Sequence, residues 1–335
     1  MSSSAQPNYD LIGVGSPIMD LLASVPEDLL KQVPGAKGGM VLVNPDEMQS
    51  LLGLLPQAPA RSTGGSAANT TLNATRLGLR TTFLGKLGND DLAQTYRERF
   101  AAVGVDTSRF KQADLPNAQC LALVTPDAER TMRTCLGAAM TLAPGEISAD
   151  DFRGCRHAHI EGYLVFNRDL ADAVLAAARS AGCTVSLDLA SFEVVGAARD
   201  WLFKQFNHGL DVVFANEEEI RALYQSNDSY DTLARRLADE GVVAAVKVGK
   251  DGAWIAQNGI VHRVEPVTVP DAIDTNGAGD SWAAGFLSGY VRGQPLPVCG
   301  AIASHLGAET VRHMGPIIPD EHFRSLAEKV AGLAP

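Results

Sequence analysis

Val212-Val213-Phe214-Ala215 places an apolar side chain at every position, where a strand with one wet face would alternate. A strand of that kind must be covered on both sides, as a parallel strand between two layers of helix is. Short runs at Leu11–Val14, Thr81–Leu84, Ala158–Glu161, Thr184–Leu187 and Ala244–Val248 alternate with stretches of helical period. Leu170, Val174, Leu175 and Ala178, for instance, share one helix face, and Gly182 supplies a left-handed stop. The pattern predicts an α/β fold: a doubly wound, mostly parallel sheet with helices on both faces. A chain of 335 residues buries about three quarters of its unfolded surface, so it needs no disulfide or metal staple. No repeat at ~20–50 residues is present, which excludes solenoids and propellers.

Two stretches break the alternation. Residues 16–65 are rich in Pro and Gly and contain the strand-like Met40-Val41-Leu42-Val43. Residues 109–136 contain Cys120–Val124 and Arg130–Cys135, which read as a hairpin. We expect these two insertions to form a small β-stranded lid, with 1–15, 66–108 and 137–335 making the α/β core. Such a lid would cover the carboxyl edge of the sheet, where open α/β sheets bind ligands.

Composition narrows the partners. With 28 Lys+Arg against 39 Asp+Glu, the net charge of −11 repels phosphate backbones, so we expect no nucleic-acid partner. No run approaches the ~18 apolar residues of a membrane span, and the first residues lack a signal-peptide layout. The 5 cysteines are widely spaced, as in a reduced thiol protein. The expectation is a cytoplasmic protein. His157, His159 and the other histidines show no metal-ligand spacing, and we read those two as packing or edge residues. No P-loop motif is present, and Gly13-Val14-Gly15 lacks the third glycine of a dinucleotide fingerprint, Ile18 standing in its place. A nicotinamide-dependent oxidoreductase is thus weakly supported.

The chemistry concentrates in two glycine-rich helix starts. Asp274-Thr275-Asn276-Gly277-Ala278-Gly279-Asp280 runs into a segment whose Trp282, Phe286 and Tyr290 recur at helical spacing, so a helix begins near Gly277. Free N–H groups and the dipole at such a start make an anion site. Asp280 in the same turn would be repelled by a bound phosphate, and a general base for an attacking hydroxyl explains its presence. An acidic residue that merely complements the dipole is the plainer alternative. In the second segment, Ser62 to Gly78, Gly64-Gly65 precedes a helix containing Asn69. Exposed backbone with an amide suits a neutral polyol, and a tight turn with a core Asn is the alternative.

Together, Gly64-Gly65-Ser66-Ala67-Ala68-Asn69 through Gly85-Lys86-Leu87-Gly88-Asn89-Asp90, and Asp274 through Asp280, resemble the two signatures of the ribokinase-like (PfkB) carbohydrate kinases, in the right order and over nearly the whole chain. The resemblance implies a ribokinase-like fold and ATP-dependent phosphorylation of a sugar or nucleoside hydroxyl, with Mg²⁺ and, in some relatives, a monovalent cation such as K⁺. It implies Asp280 as base, with the amides of Gly277, Ala278 and Gly279 as anion hole and Thr275 and Asn276 at the nucleotide. Asp20, Gly64, Gly65 and Asn69 match the acceptor-binding positions. Asn216 and Glu219 match a motif that organises Mg²⁺ and phosphates, partly through water, and Asn216 is also placed to cap a helix with Glu219 in a capping box. Lys247, Gly249 and Gly252 match the strand and turn beside the nucleotide. Gly15–Asp20, Gly39–Val43 and Glu129–Ala139 look more like adenosine kinases than ribokinases or fructokinases. Arg130 would then reach the transferring phosphate, with Arg133 on the same strand as second candidate. Ser16 departs from the Asn usual in adenosine kinases, and Ala93 from a frequent Gly. Tyr9 and Phe166 are the aromatics placed to stack on a base. The implied partners are a small nucleoside or sugar and ATP, acting in a monomer or homodimer. Free-sugar kinases of the same family and a non-catalytic nucleoside-binding regulator are the alternatives.

Overall fold

The computed structural model describes residues 8–333 apart from residue 128. Eight strands form the main sheet, in the spatial order Ile260–Val264, Ala253–Gln257, Val243–Lys247, Val212–Ala215, Thr184–Asp188, Cys155–Glu161, Tyr9–Val14, Thr81–Leu84. The last six pair in parallel, and they are the six expected from the sequence. The first two form an antiparallel edge that sequence reading left out. Helices cover both faces, and Val212, Val213, Phe214 and Ala215 are fully buried between them. Helix Arg168–Ser180 buries Leu170, Val174, Leu175 and Ala178, and Gly182 beyond it takes φ +81.

His157 and His159 lie inside the sheet rather than at its edge. Both are fully buried and hydrogen-bonded to Thr184 and Ser186 of the neighbouring strand at 2.7–2.9 Å. Burial lowers them to about 3 and about 4, so they pack as neutral rings.

Helix Ala278–Tyr290 stacks Trp282 on Phe286 and Phe286 on Tyr290, at ring separations of 5.6 and 6.0 Å. It packs against helix Ser66–Arg76, with Asn73 Nδ2 donating to Ser281 Oγ at 3.0 Å in a buried setting. The two glycine-rich helix starts are thereby held side by side.

A second sheet has the order Met40–Leu42, Arg130–Cys135, Gln119–Val124, Ile18–Ser24, Ala60–Gly64. Its strands come from both insertions in the main alternation. One face buries Met19, Leu21, Leu121 and Leu123 in a cluster with Phe83, Tyr96 and Phe100. Strand alternation turns Ser62, Asp20, Leu22, Cys120, Ala122, Arg130 and Met132 to the other face, over the carboxyl ends of the main sheet. Among the described residues, no helix is long and apolar enough to cross a membrane.

Candidate active site

Strand Tyr9–Val14 lies between Thr81–Leu84, reached next in the main sheet, and Cys155–Glu161, from which the chain winds the other way. This reversal opens a crevice at the carboxyl ends, the expected ligand position in such a sheet. Successive strands end there in Gly15, Glu161, Asp188, Asn216 and Lys247. The crevice encloses about 410 Å³ and is roofed by the second sheet.

Gly277 caps helix Ala278–Tyr290 with φ +72, and a side chain there would collide with Pro316. Asp280 follows in the first turn. Its Oδ1 accepts from Ser66 Oγ at 2.8 Å and its Oδ2 from Asn69 Nδ2 at 2.9 Å. Burial raises Asp280 to about 6, opposed by the Asn69 hydrogen bond, so it is ionised at neutral pH yet basic enough to take a proton. The Oδ1 of Asn69, a residue lining the crevice, is buried with no hydrogen-bond partner among the described residues. Two of the three expected anion-hole amides, those of Ala278 and Gly279, differ. Ala278 N–H already donates to the Thr275 carbonyl at 3.2 Å. Gly279 makes no such bond among the described residues, and its bare Cα faces Lys247, whose Nζ would lie 3.3 Å from an added Cβ.

Under the roof, the Asp20 carboxyl sits directly on Gly64, where any side chain would displace it. The Gly64 carbonyl accepts from the buried Tyr96 hydroxyl at 2.9 Å, and Gly65 takes φ +102 against the Ser16 carbonyl. Burial lifts Asp20 to about 7 against the pull of Arg130, with Asp280 adding to the rise. Ser16 donates its backbone N–H to Glu161 Oε1 at 2.8 Å, and it is not among the residues lining the crevice. Arg130 and Arg133 separate cleanly, because positions three apart on a strand face opposite ways. Arg130 lines the crevice and pairs with Asp274 at 2.5 Å, whereas Arg133 is fully buried beneath the sheet with donors to the Gly39 and Met132 carbonyls. Strand parity therefore favours Arg130 where the sequence reading had left the two open.

At the carboxyl ends of the main-sheet strands, Asn216 caps helix Glu217–Tyr224 through a reciprocal box with Glu219, donating N–H and Nδ2 to its carboxylate at 2.8 and 2.7 Å. Glu219 is buried and raised to about 7 by burial and by the charge of Asp188. Lys247 Nζ donates to Asp188 Oδ2 at 2.9 Å. Burial alone would lower Lys247, but Asp188 and Glu219 outweigh it and hold it above the ordinary lysine value. Asn276 lines the crevice and Thr275 is exposed beside it. Gly249 and Gly252 shape the turn after Lys247 with φ +47 and +90, outside the lining of the crevice.

Sequence reading missed Glu161, Asp188, Ser66, Asp274 and Tyr163. Glu161 explains Gly15, where an added Cβ would strike its carboxylate. Tyr163 is the aromatic that lines the crevice. Tyr9 opens its strand at the opposite edge of the sheet, under the Arg109 guanidinium, and Phe166 is exposed outside the crevice.

The geometry agrees with what the chain is similar to. An uncharacterised sugar kinase of Archaeoglobus fulgidus is 27% identical over 248 residues, covering 73% of this chain and 96% of the relative. A nucleoside kinase of Methanothermobacter thermautotrophicus is 31% identical over 254 residues, covering 75% and 79%. The crystal structure of adenosine kinase from Sinorhizobium meliloti superposes with a TM-score of 0.84 at 29% identity, over 96% of this chain and 99% of that one. The pfkB family carbohydrate kinase model matches residues 46–322, a span that holds both glycine-rich helix starts and the Lys247 strand between them. Because that match spans well over half of its length, this chain belongs to the pfkB family of carbohydrate kinases, ATP-using phosphotransferases that act on an alcohol group.

Proposed function

We propose that the acceptor is a nucleoside, with adenosine the first choice, and that the γ-phosphoryl group of ATP is transferred to its 5′-hydroxyl. The observation that carries this reading is the division of the crevice roof. Asp20 and Ser62 offer polar groups for sugar hydroxyls, while Leu22, Ala122 and Met132 continue the same face as an apolar wall, joined below by Met314 and Ile317. A free sugar would leave that wall against its hydroxyls, whereas a planar base buries it at about 25 cal/mol per Å².

In this reading Asp20 and the unpartnered Oδ1 of Asn69 hold ribose hydroxyls. Asp280 faces the 5′-hydroxyl and takes its proton as the oxygen attacks in line. Ser66 and Asn69 fix the Asp280 carboxylate so that no reorientation is needed. Lys247, the Gly279 amide and the helix dipole stabilise charge on the transferred group, and Arg130, released from Asp274, adds a bidentate donor from the roof. Glu219, through water, and Asn216 would hold Mg²⁺, which neutralises phosphate charge when bound. The acidic surroundings of Lys247 suit this ion, since Asp188 and Glu219 form a buried carboxylate pair beside it.

The test is ADP release with MgATP across adenosine, inosine, guanosine, cytidine, ribose, fructose and 2-keto-3-deoxygluconate. Release with adenosine, and weaker release with other purine nucleosides, is expected. Release with a free sugar alone would remove the nucleoside assignment and leave the family chemistry in place.

A further inference from the structure

Away from the crevice, three metal-ligating side chains converge between the last two helices. Glu309 lies in the final turn of helix Leu296–Thr310, His313 follows it by four residues, and His322 lies in the first turn of helix Asp320–Ala331. Glu309 Oε1 lies 2.9 Å from His313 Nε2 and 3.5 Å from His322 Nδ1, and the three donor atoms fall within 4.8 Å of one another. Around a tetrahedral ion with bonds of about 2.0–2.2 Å, donor atoms stand roughly 3.3–3.5 Å apart. The 3.5 Å spacing falls within that range, and the 2.9 Å one, a hydrogen bond between Glu309 and His313, opens by a few tenths of an ångström to admit an ion. The third, between two rings packed edge-on with centroids 4.7 Å apart, closes by a turn of the His322 ring, whose side chain is 49% exposed.

The surroundings suit a bound ion. Arg312 donates to the other oxygen, Glu309 Oε2, at 3.3 Å, which leaves Oε1 for the ion. Glu309 and His313 are largely shielded, with side-chain exposures of 14% and 15%. Glu309 and His322 border a separate cavity of about 640 Å³, lined also by His305, Arg312, Glu321 and Lys329, with room for a water as fourth ligand, and His313 lies behind Glu309.

We propose that Glu309, His313 and His322 form a binding site for a divalent ion of the zinc type. Two imidazoles and one carboxylate are the donor set of such ions, and harder Mg²⁺ prefers oxygen. The position gives the site a consequence. His313 and His322 bracket a connection whose Met314, Gly315, Pro316 and Ile317 line the crevice. Gly315 N–H donates to Asp274 at 2.7 Å, Arg130 reaches Met314 Sδ at 3.0 Å, and Pro316 packs on Gly277. An ion at this site ties both ends of that connection and stiffens the wall that carries the Arg130–Asp274 pair.

The test uses the full chain stripped of metal by a chelating resin, titrated with Co²⁺ alone and followed by visible absorption. One equivalent is expected to bind with the intense bands of four-coordinate Co²⁺, to be displaced by Zn²⁺, and to slow hydrogen exchange in residues 311–322. His313→Ala and His322→Ala should each weaken binding by at least ~10–100-fold, the loss that even an outer partner's removal causes. Asp280→Asn should leave it unchanged. With MgATP and no added Co²⁺ or Zn²⁺, His322→Ala should keep normal kinase activity, which shows that the variant folds. A dissociation constant above about 100 μM, binding undiminished in both histidine variants, or binding abolished by Asp280→Asn would each overturn the proposal.

Discussion

Replacing Asp280 by Asn separates chemistry from architecture, because the structure accommodates the amide. The Asn carbonyl accepts from Asn69 Nδ2, and its NH₂ donates to Ser66 Oγ, so both contacts of 2.9 and 2.8 Å survive. What is lost is the base. Positioned general bases contribute about 10²–10⁴-fold, or about 3–5 kcal/mol at 1.36 kcal/mol per decade. Stability moves the other way. A carboxyl raised by burial from 3.8 to about 6 binds its proton more tightly folded than unfolded. Its ionised form therefore costs stability above the folded value, and that cost disappears as pH falls toward the unfolded value. The rise corresponds to a ceiling of about 3 kcal/mol, and solvent reaching the crevice reduces it to about 1–2 kcal/mol. At roughly 2–4 °C per kcal/mol, the variant should melt several degrees higher than the parent without ligands at pH 7. Turnover by ADP release should fall at least 100-fold while both substrates still bind, with the gap in melting temperature narrowing toward pH 4. Turnover within tenfold of the parent would refute the base assignment. A lowered melting temperature with intact fold would refute the electrostatic reasoning.

Gly64→Ala pushes a methyl group into the Asp20 carboxylate, so the acceptor KM should rise about tenfold or more with the KM for ATP little changed, measured by initial rates in both substrates. Equal effects on both would contradict the placement of Asp20. Arg130→Ala removes the roof donor and its pair with Asp274, and kcat should fall by about 10²–10³-fold, the usual loss for one donor to developing charge. Arg130→Lys should recover little of it, because the planar fork is lost. The kcat/KM profile of the free enzyme should fall below pH 7 and steepen below pH 6, as Asp20 at about 7 and Asp280 at about 6 take up protons in turn. A flat profile to pH 5 would contradict both assignments.

The parts of the site legible in the sequence are those that local backbone chemistry builds. Gly64-Gly65 and Gly277-Ala278-Gly279 open helices within a few residues, and the Asn216–Glu219 box closes within one turn, so spacing alone betrays them. Glu161 and Asp188 are single carboxylates at the ends of buried strands, and only parallel pairing of those strands brings them beside Ser16 and Lys247. Tyr163 enters through a 3₁₀ turn without periodicity, which is why position in the chain pointed instead to Tyr9 and Phe166. The apolar wall needs three strands from two distant insertions in register: Leu22 opposite Ala122, and Ala122 opposite Met132. The edge strands 253–257 and 260–264 share their alternation with an ordinary surface hairpin, and nothing local marks them as the flank of a parallel sheet.

The crevice is built by two layers that seldom share a stretch of chain. Asp188, Asn216, Glu219, Lys247 and Asp280 come from the main sheet and its helices, whereas Asp20, Leu22, Ser62, Ala122, Arg130 and Met132 come from the roof. In the proposed reading the main sheet and its helices carry most of the reaction and the roof most of the recognition, with Arg130 reaching from the roof to the reacting phosphate and Asn69 from the main body to the acceptor. On that reading, a substitution at Leu22 or Met132 would alter which molecule is accepted while leaving the phosphoryl machinery in register. The same scaffold can exchange one acceptor for another by small steps, each passing through a working catalyst, without reinventing the chemistry.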